Sequence, residues 1–424
     1  MFLLLSGIGT VWLLTEVWIC KAHTHYLKMT SVTDWLLQNR DRIETGVEIL
    51  GKASEVLAAT VGQLHPILEA IFVASAELLS NPDGKDARYL TEQFGQVNQK
   101  LEGIQDEMCK IALVLERASM NKQNFDQENH LLSQYDKLQD FINARPEFKE
   151  TKKNKFLIQY DNTGRDGNLD ALYNAVIGES MGGLVDPMLE TVVRTEQRSR
   201  RAVEDFCASL KKLFVVGTIA VMGHAALKKG VVGDDIVTKW QKRMQDVEKR
   251  MKDAVDDCTE NFADQAKLDM EHQLQQTPGK VDRDFTQSLL DSLVQKYDWV
   301  NWSIRVFKDT ERFFFFNWMA GEPYHGSGGG DNYFDVLKNN FKVVISFCVN
   351  PAPINRSQIQ EQIETQKLKG NMKDVALSLS TSIPNCLVHT VSAYKKMPVE
   401  TNNFPEDCYY YGKHKRAYLY IHPK

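Results

Sequence analysis

The stretch from Leu90 to Leu115 limits the choice of fold more than any other part of this chain. Leu90, Phe94, Val97, Leu101, Ile104, Met108, Ile111 and Leu115 alternate spacings of four and three without a miss. An a/d seam held over several heptads belongs to a long helix packed side by side with another. The pattern returns at Val237, Trp240, Met244, Val247, Met251, Ala254 and Cys258, behind Asp234 and Asp235, which suit the positive end of a helix. Two such seams, far apart in the chain, predict an elongated antiparallel helical bundle with coiled-coil-like packing and the stripes as its core. Further helices are expected from Thr33 or Asp34 to Leu50, from Phe125 to Ile142 and from Leu189 to Leu210. The run from Val56 to Leu79 is apolar nearly all round, as in a buried central helix. Only 25 glycines and 12 prolines occur in 424 residues, which favours long helices over a many-stranded sandwich.

That scarcity is uneven. Seven of the 12 prolines and nine of the 14 tyrosines lie beyond residue 280. Thr277-Pro278-Gly279 marks the change, so residues 29–280 form the bundle and 281–424 a smaller α+β module. After a helix near Phe285 to Tyr297, strands are expected at Trp299–Phe307, Phe341–Val349, Cys386–Tyr394, Tyr409–Tyr411 and Ala417–Ile421, all rich in β-branched or aromatic residues. Gly412-Lys413 and its neighbours suit a hairpin between the last two. Ile359–Leu368 and Val375–Leu379 read as helix.

The first 28 residues open with an apolar run, Phe2 to Leu14, of secretory h-region length. Three readings stand: a signal, an anchor, or an extension ahead of Met29. The first two imply secretion or membrane association, the third a cytoplasmic chain. Seven cysteines are spread too widely to read as a disulfide framework or a zinc site. The sequons at Asn301 and Asn355 matter only in a secreted chain.

Short motifs offer little chemistry. Gly178-Glu179-Ser180-Met181-Gly182 has the nucleophile-elbow spacing, but a helix precedes it where a strand is required, and a glycine-rich helix break before Pro187 explains it better. Gly326 to Gly330 lacks the lysine of a phosphate loop and reads as a flexible connector beside His325. Asp161 to Gly167 fails as a calcium loop, because Arg165 stands where an oxygen ligand belongs. Arg194, Arg198 and Arg201 read as one solvated helix face. With 51 basic and 56 acidic side chains the net charge is −5, so no basic field invites nucleic acid. No catalytic, cofactor or metal site is expected.

One segment stands apart. Leu213 to Leu227 has no formal charge, with Lys211-Lys212 before it and Lys228-Lys229 after. At 15 residues it is too short to span a bilayer as one straight helix. It reads either as a core helix or as a concealed apolar tongue that swings into lipid, with Leu213, Phe214, Val215, Val216, Ile219, Val221, Met222 and Leu227 as its membrane contacts. Phe313 to Phe316 and Trp318 form a second cluster, with Phe314, Phe316 and Trp318 as candidates for a partner contact.

Leu64-His65-Pro66-Ile67-Leu68-Glu69, Glu92-Gln93-Phe94-Gly95-Gln96-Val97-Asn98 and Lys296-Tyr297-Asp298-Trp299 are similar to strings of the rapunzel family of fish. That family is related to the group named after cuttlefish cephalotoxin. The resemblance implies a non-enzymatic helical protein associated with fin and skeletal development, and it supplies no catalytic residue. The resulting expectation is a membrane-interacting or binding protein, without cofactor or nucleic acid, its protein partner unnamed and an oligomer compatible with it. The competing expectation is a soluble signalling or scaffold protein that binds a partner through its C-terminal module.

Overall fold

The structure is a computed structural model describing residues 122–178, 187–229, 232–276, 282–308, 325–338, 341–365, 371–393, 399–415 and 417–424, with scattered helical positions between Arg40 and Lys100. The Leu90–Leu115 seam, the 56–79 run and the apolar N-terminus lie outside the described residues. Two compact units partition the chain: Met1–Glu196 with Ala202–Asp256, and Gln197–Arg201 with Asp257–Lys424.

The first unit is helical. Helices α1 (Lys122–Ile142) and α2 (Pro146–Asn162) form an antiparallel hairpin about the turn at Asn143. Pro146 at the start of α2 sets the first helical φ and costs no hydrogen bond there. Lys152 reaches Asp140 at 3.0 Å, and Gln159 reaches Ser133 at 3.1 Å, so the hairpin is zipped along its length. Helix α3 (Gly167–Ile177) ends at Gly178, which takes the left-handed conformation at φ 87° and donates to the Asn174 carbonyl. A Cβ at 178 would sit 2.8 Å from Pro187 Cγ, so glycine belongs at this helix break, as expected; Ser180 lies outside the described residues.

Three further helices are α4 (Met188–Thr195), α5 (Arg200–Lys229) and α6 (Asp234–Glu260). The expected single helix from Leu189 to Leu210 is therefore broken, because Gln197 (φ 50°) and Arg198 (φ 55°) are both left-handed. In the seam of α6, Trp240, Met244, Val247, Met251, Ala254 and Cys258 are buried and Val237 is half-buried. This stripe is core, as its spacing predicts. Tyr173 to Asp246 (3.2 Å) and Arg250 to the Ile177 carbonyl (2.9 Å) show that α3 and α6 run parallel. Arg243, over the Tyr173 ring at 4.5 Å, also pairs with Asp170.

The second unit contains two antiparallel sheets covered by helices. Helices α7 (Phe262–Gln276) and α8 (Arg283–Lys296) precede β1 (Val300–Lys308), β2 (His325–Gly328), β3 (Tyr333–Lys338) and β4 (Phe341–Val349). Helices α9 (Arg356–Thr365) and α10 (Met372–Ser382) follow, then β5 (Cys386–Ser392), β6 (Val399–Asn402), β7 (Tyr410–His414) and β8 (Ala417–Pro423). One sheet has the order β3-β4-β1-β6, the other β2-β5-β8-β7. Strand alternation then sorts the side chains. Trp302, Ile304, Val306, Val343 and Ile345 pack under α7 and α8, while Val388, Leu419 and Ile421 pack under α9 and α10. Phe307, Val344, Val391 and Tyr420 meet between the sheets. The result is four layers, helix–sheet–sheet–helix. The cluster under α7 reaches back to Phe262, upstream of residue 281.

Three local expectations are corrected here. Gly326 to Gly328 is no connector but the end of strand β2, paired with β5. Helix α10 lies so close that a Cβ at Gly326 would be 2.3 Å from the Met372 carbonyl, and one at Gly328 would be 2.7 Å from that of Ala376. Glycine is placed there for helix contact. The last hairpin exists, but its closing pair is His414 with Ala417, followed on the β7 side by Lys415 at φ 51°, and Gly412-Lys413 lie within β7. The three arginines share no helix face, since Arg194 lies in α4, Arg198 in the break and Arg201 in α5. Arg198 pairs with Asp257 at 3.0 Å and Arg201 with Asp298 at 3.0 Å.

Candidate functional site: the apolar helix and the inter-sheet layer

Helix α5 carries all the membrane-contact residues inferred from sequence. Phe214, Val215, Val216, Ile219, Val221 and Met222 are buried, and Leu213 and Leu227 are half-buried at the ends of the run. The helix has 30 residues, a rod of about 45 Å at the usual rise. Among the described residues it is the helix long and apolar enough to cross a membrane, a greater reach than the uncharged run alone suggests. Inside the unit it is enclosed by protein. A Cβ at Gly217 would lie 2.5 Å from Leu169 of α3 and 3.1 Å from Leu131 of α1, and one at Gly223 would lie 2.8 Å from Leu138. The glycines thus form the surface on which α1 and α3 seat their leucines. At the far end His224 stacks on Tyr160 with ring centroids 4.2 Å apart. Asp161 faces Lys228 at 3.5 Å, Arg165 at 2.9 Å and the His224 ring at 3.8 Å. Aromatic stacking and charge therefore tie the lysine-bearing end of α5 to the α2–α3 turn.

A second constellation lies between the sheets of the C-terminal module. Arg305 of β1 is fully buried, donating to Ser346 Oγ at 2.8 Å, with its guanidinium 5.4 Å from the Tyr420 ring centre. His422 of β8 meets the same Ser346 hydroxyl through Nε2 at 2.7 Å, and its Nδ1 meets the Pro423 carbonyl at 2.7 Å. A carbonyl only accepts, so Nδ1 carries the proton and Nε2 accepts from the serine. The order is Arg305 to Ser346 to His422 to the Pro423 carbonyl. His325 of β2 and His389 of β5 share one hydrogen bond, Nε2 to Nδ1, at 3.0 Å, with their rings stacked 5.2 Å apart. The His389 and His422 ring centres are 6.3 Å apart. Burial, then the Arg305 charge, holds His325 and His422 down to about 3 and His389 well below the ordinary histidine value. All three rings are neutral at physiological pH.

The stretch from 81 to 279, which includes α1 to α7, matches a family of known proteins described as the cephalotoxin-like middle helical domain. Protein rapunzel of Danio rerio is 27% identical over 207 residues, covering 47% of this chain and 89% of that protein. The chain is a distant homologue of it. No solved structure matches.

Helix α5 falls within the matched stretch, and so do all eight residues inferred to meet lipid. Phe314, Phe316 and Trp318 lie outside the described residues. Among the described residues no group of three or more His, Cys, Asp or Glu is arranged to hold a metal ion. Of the strings that carry the family resemblance, Lys296-Tyr297-Asp298-Trp299 is described throughout, and every member has a task. Lys296 at 2.6 Å and Tyr297 at 2.7 Å both hold Asp269 of α7. Asp298 pairs with Arg200 at 2.9 Å and with Arg201, and Trp299 lies under the Arg200 guanidinium at 4.4 Å. Sequence reasoning missed the inter-sheet layer. Only His325 drew notice, for the glycines beside it, and nothing linked it to His389, His422 or Arg305.

Proposed function

We propose that this chain is a non-enzymatic, membrane-interacting protein and that α5 is the element that meets lipid. The observation that supports this is one 30-residue helix whose length and composition suit a membrane, with its uncharged run set between Lys211-Lys212 and Lys228-Lys229. A run apolar all round gains as much from acyl chains as from its present neighbours, and lysines at both ends suit headgroups. It is held by leucines seated on its glycines, the Tyr160–His224 stack, the Asp161–Lys228 pair, and the Asp298 pairs of Arg200 and Arg201, all of which part without breaking a backbone ladder. The likeness to Protein rapunzel supports the companion reading, a role in fin and skeletal development.

The test uses the full chain with vesicles of phosphatidylcholine and phosphatidylserine carrying a photoactivatable acyl chain. Crosslinks mapping to Leu213–Leu227, with dye release that Val216→Asp abolishes, are the expected result. Crosslinks absent from α5 and no release by the folded wild type would remove the proposal. The soluble scaffold reading would then stand in its place.

A further inference from the structure

We propose that the stacked rings of His325, His389 and His422 form an acid-triggered release between the two sheets of the C-terminal module. The inference is independent of the membrane reading.

It rests on how the hydrogen bonds are ordered. His325 Nε2 and His389 Nδ1 share a single proton at 3.0 Å, so protonating both rings sets two N–H groups against each other. His389 Nε2 has no partner among the described residues, so the pair has no second acceptor to turn to. On the other side Ser346 accepts from Arg305 and donates to His422 Nε2. A proton on Nε2 removes that acceptor, so the serine O–H loses its present partner and its oxygen must accept from two cations at once. The present arrangement therefore holds only with His422 neutral and with no more than one ring of the His325–His389 pair charged.

The surrounding charges add to this. Arg305 from β1 faces the stack and is itself fully buried. On the same side of its sheet stand Glu400 of β6, opposite Arg305 in register and bonded to Asn402 at 3.1 Å, and Asp335 of β3, paired with Lys342 of β4 at 3.0 Å. From the other sheet come Lys413 of β7, 5.5 Å over Tyr418, together with Tyr411 and Tyr420. Among the described residues Tyr333, Tyr409, Cys348 and Cys408 also pack in the layer. None of the three rings has a carboxylate partner among the described residues, so protons taken up there are uncompensated. The outer faces carry Trp302, Ile304 and Val306 under α7 and α8, and Val388, Leu419 and Ile421 under α9 and α10. The three stacked rings themselves lie where the sheets meet.

Hydrogen–deuterium exchange on the full chain, from about pH 7 to about pH 4.5 and corrected for intrinsic rates, tests this. Peptides from β5 and β8 are expected to lose protection at least about tenfold while α6 keeps its own. His422→Gln, which retains an acceptor for Ser346, is expected to move the transition to lower pH. Flat protection of β5 and β8 in the wild type overturns the proposal. So does loss of α6 protection at the same pH, because acid then acts on the whole chain. A His422→Gln protein that folds at neutral pH and shows the wild-type transition also overturns it.

Discussion

His422 and Arg305 hydrogen-bond the same hydroxyl, that of Ser346, from opposite sheets: Nε2 at 2.7 Å and Nη2 at 2.8 Å. One small hydroxyl thus mediates between a permanent cation and a ring that must remain neutral. The histidine values in the folded module lie below the ordinary value near 6.5, about 3 for His325 and His422. Their stabilising contribution is complete above about pH 6.5 and declines as pH falls toward about 3, because the unfolded chain binds protons first. Each such ring gives a slope of about 1.4 kcal/mol per pH unit. Urea denaturation of the module's tryptophan signal is expected to show a midpoint that falls steeply below about pH 6. A midpoint independent of pH in that range would refute the assignment of neutral rings.

Gly326 and Gly217 are both sites of close approach, but their neighbours differ. At Gly326 an added Cβ meets the Met372 backbone at 2.3 Å, where neither β2 nor α10 can give way. At Gly217 it meets the methyl end of Leu169 at 2.5 Å, which can rotate, and alanine gains about 1 kcal/mol of helix propensity. Gly326→Ala is therefore expected to cost about 3 kcal/mol, and Gly217→Ala less than about 1 kcal/mol. Gly217→Leu, too large for any rotamer of Leu169 to accommodate, should cost about 3 kcal/mol. Thermal melts of the three variants test the ranking, and an equal loss at Gly326→Ala and Gly217→Ala would contradict it.

These glycines mark where sequence reading succeeds and fails. Strand β4 was legible to the residue, Phe341 to Val349, because a short run so rich in β-branched and aromatic residues has few other uses. Strand β2 was not, since Gly326 and Gly328 lack the side chains from which strand propensity is read. The α6 stripe declared itself through spacing alone, because a helix buries one side. Arg305 resisted the same logic. A charged residue alternating with apolar ones in a strand normally faces water, and here helices cover one face and a second sheet the other. Its partners in the layer lie far along the chain; the pairs His325–His389 and Ser346–His422 are 64 and 76 residues apart. Local pattern carries no information about such pairs.

Cys348 is buried, and its Sγ donates to the Lys424 carbonyl at 2.9 Å. Burial, reinforced by the nearby Cys408 and Cys386 thiols, raises it to about 11. The thiolate is the reactive form, so little of it exists near neutrality. Cys207, Cys258, Cys386 and Cys408 are also buried. Iodoacetamide applied to the native chain at about pH 8 is expected to leave these five unmodified, and urea should expose them all. Mass spectrometry of the digested protein reads the outcome directly. Rapid native labelling of Cys348 would show that its surroundings are more open than described.

Asp269 and Asp298 present similar ion pairs with different expected weights. Asp298 holds Arg200 and Arg201, yet its side chain remains 34% exposed and that of Arg201 62% exposed. Solvent screens such pairs, so Asp298→Asn is expected to cost about 1 kcal/mol or less. Asp269 is 17% exposed and accepts from the Tyr297 hydroxyl at 2.7 Å as well as from Lys296. Tyr297 is buried beside Phe262, Trp299 and Trp302, where a hydroxyl without an acceptor is unfavourable. Asp269→Ala is therefore expected to cost about 2–3 kcal/mol. Tyr297→Phe combined with Asp269→Ala should recover part of that loss, because the double variant leaves no stranded hydroxyl. A double-mutant cycle in urea measures the coupling. If the two losses simply add, the bond between Tyr297 and Asp269 contributes nothing, and the closing string of the family resemblance keeps only its outer ion pairs.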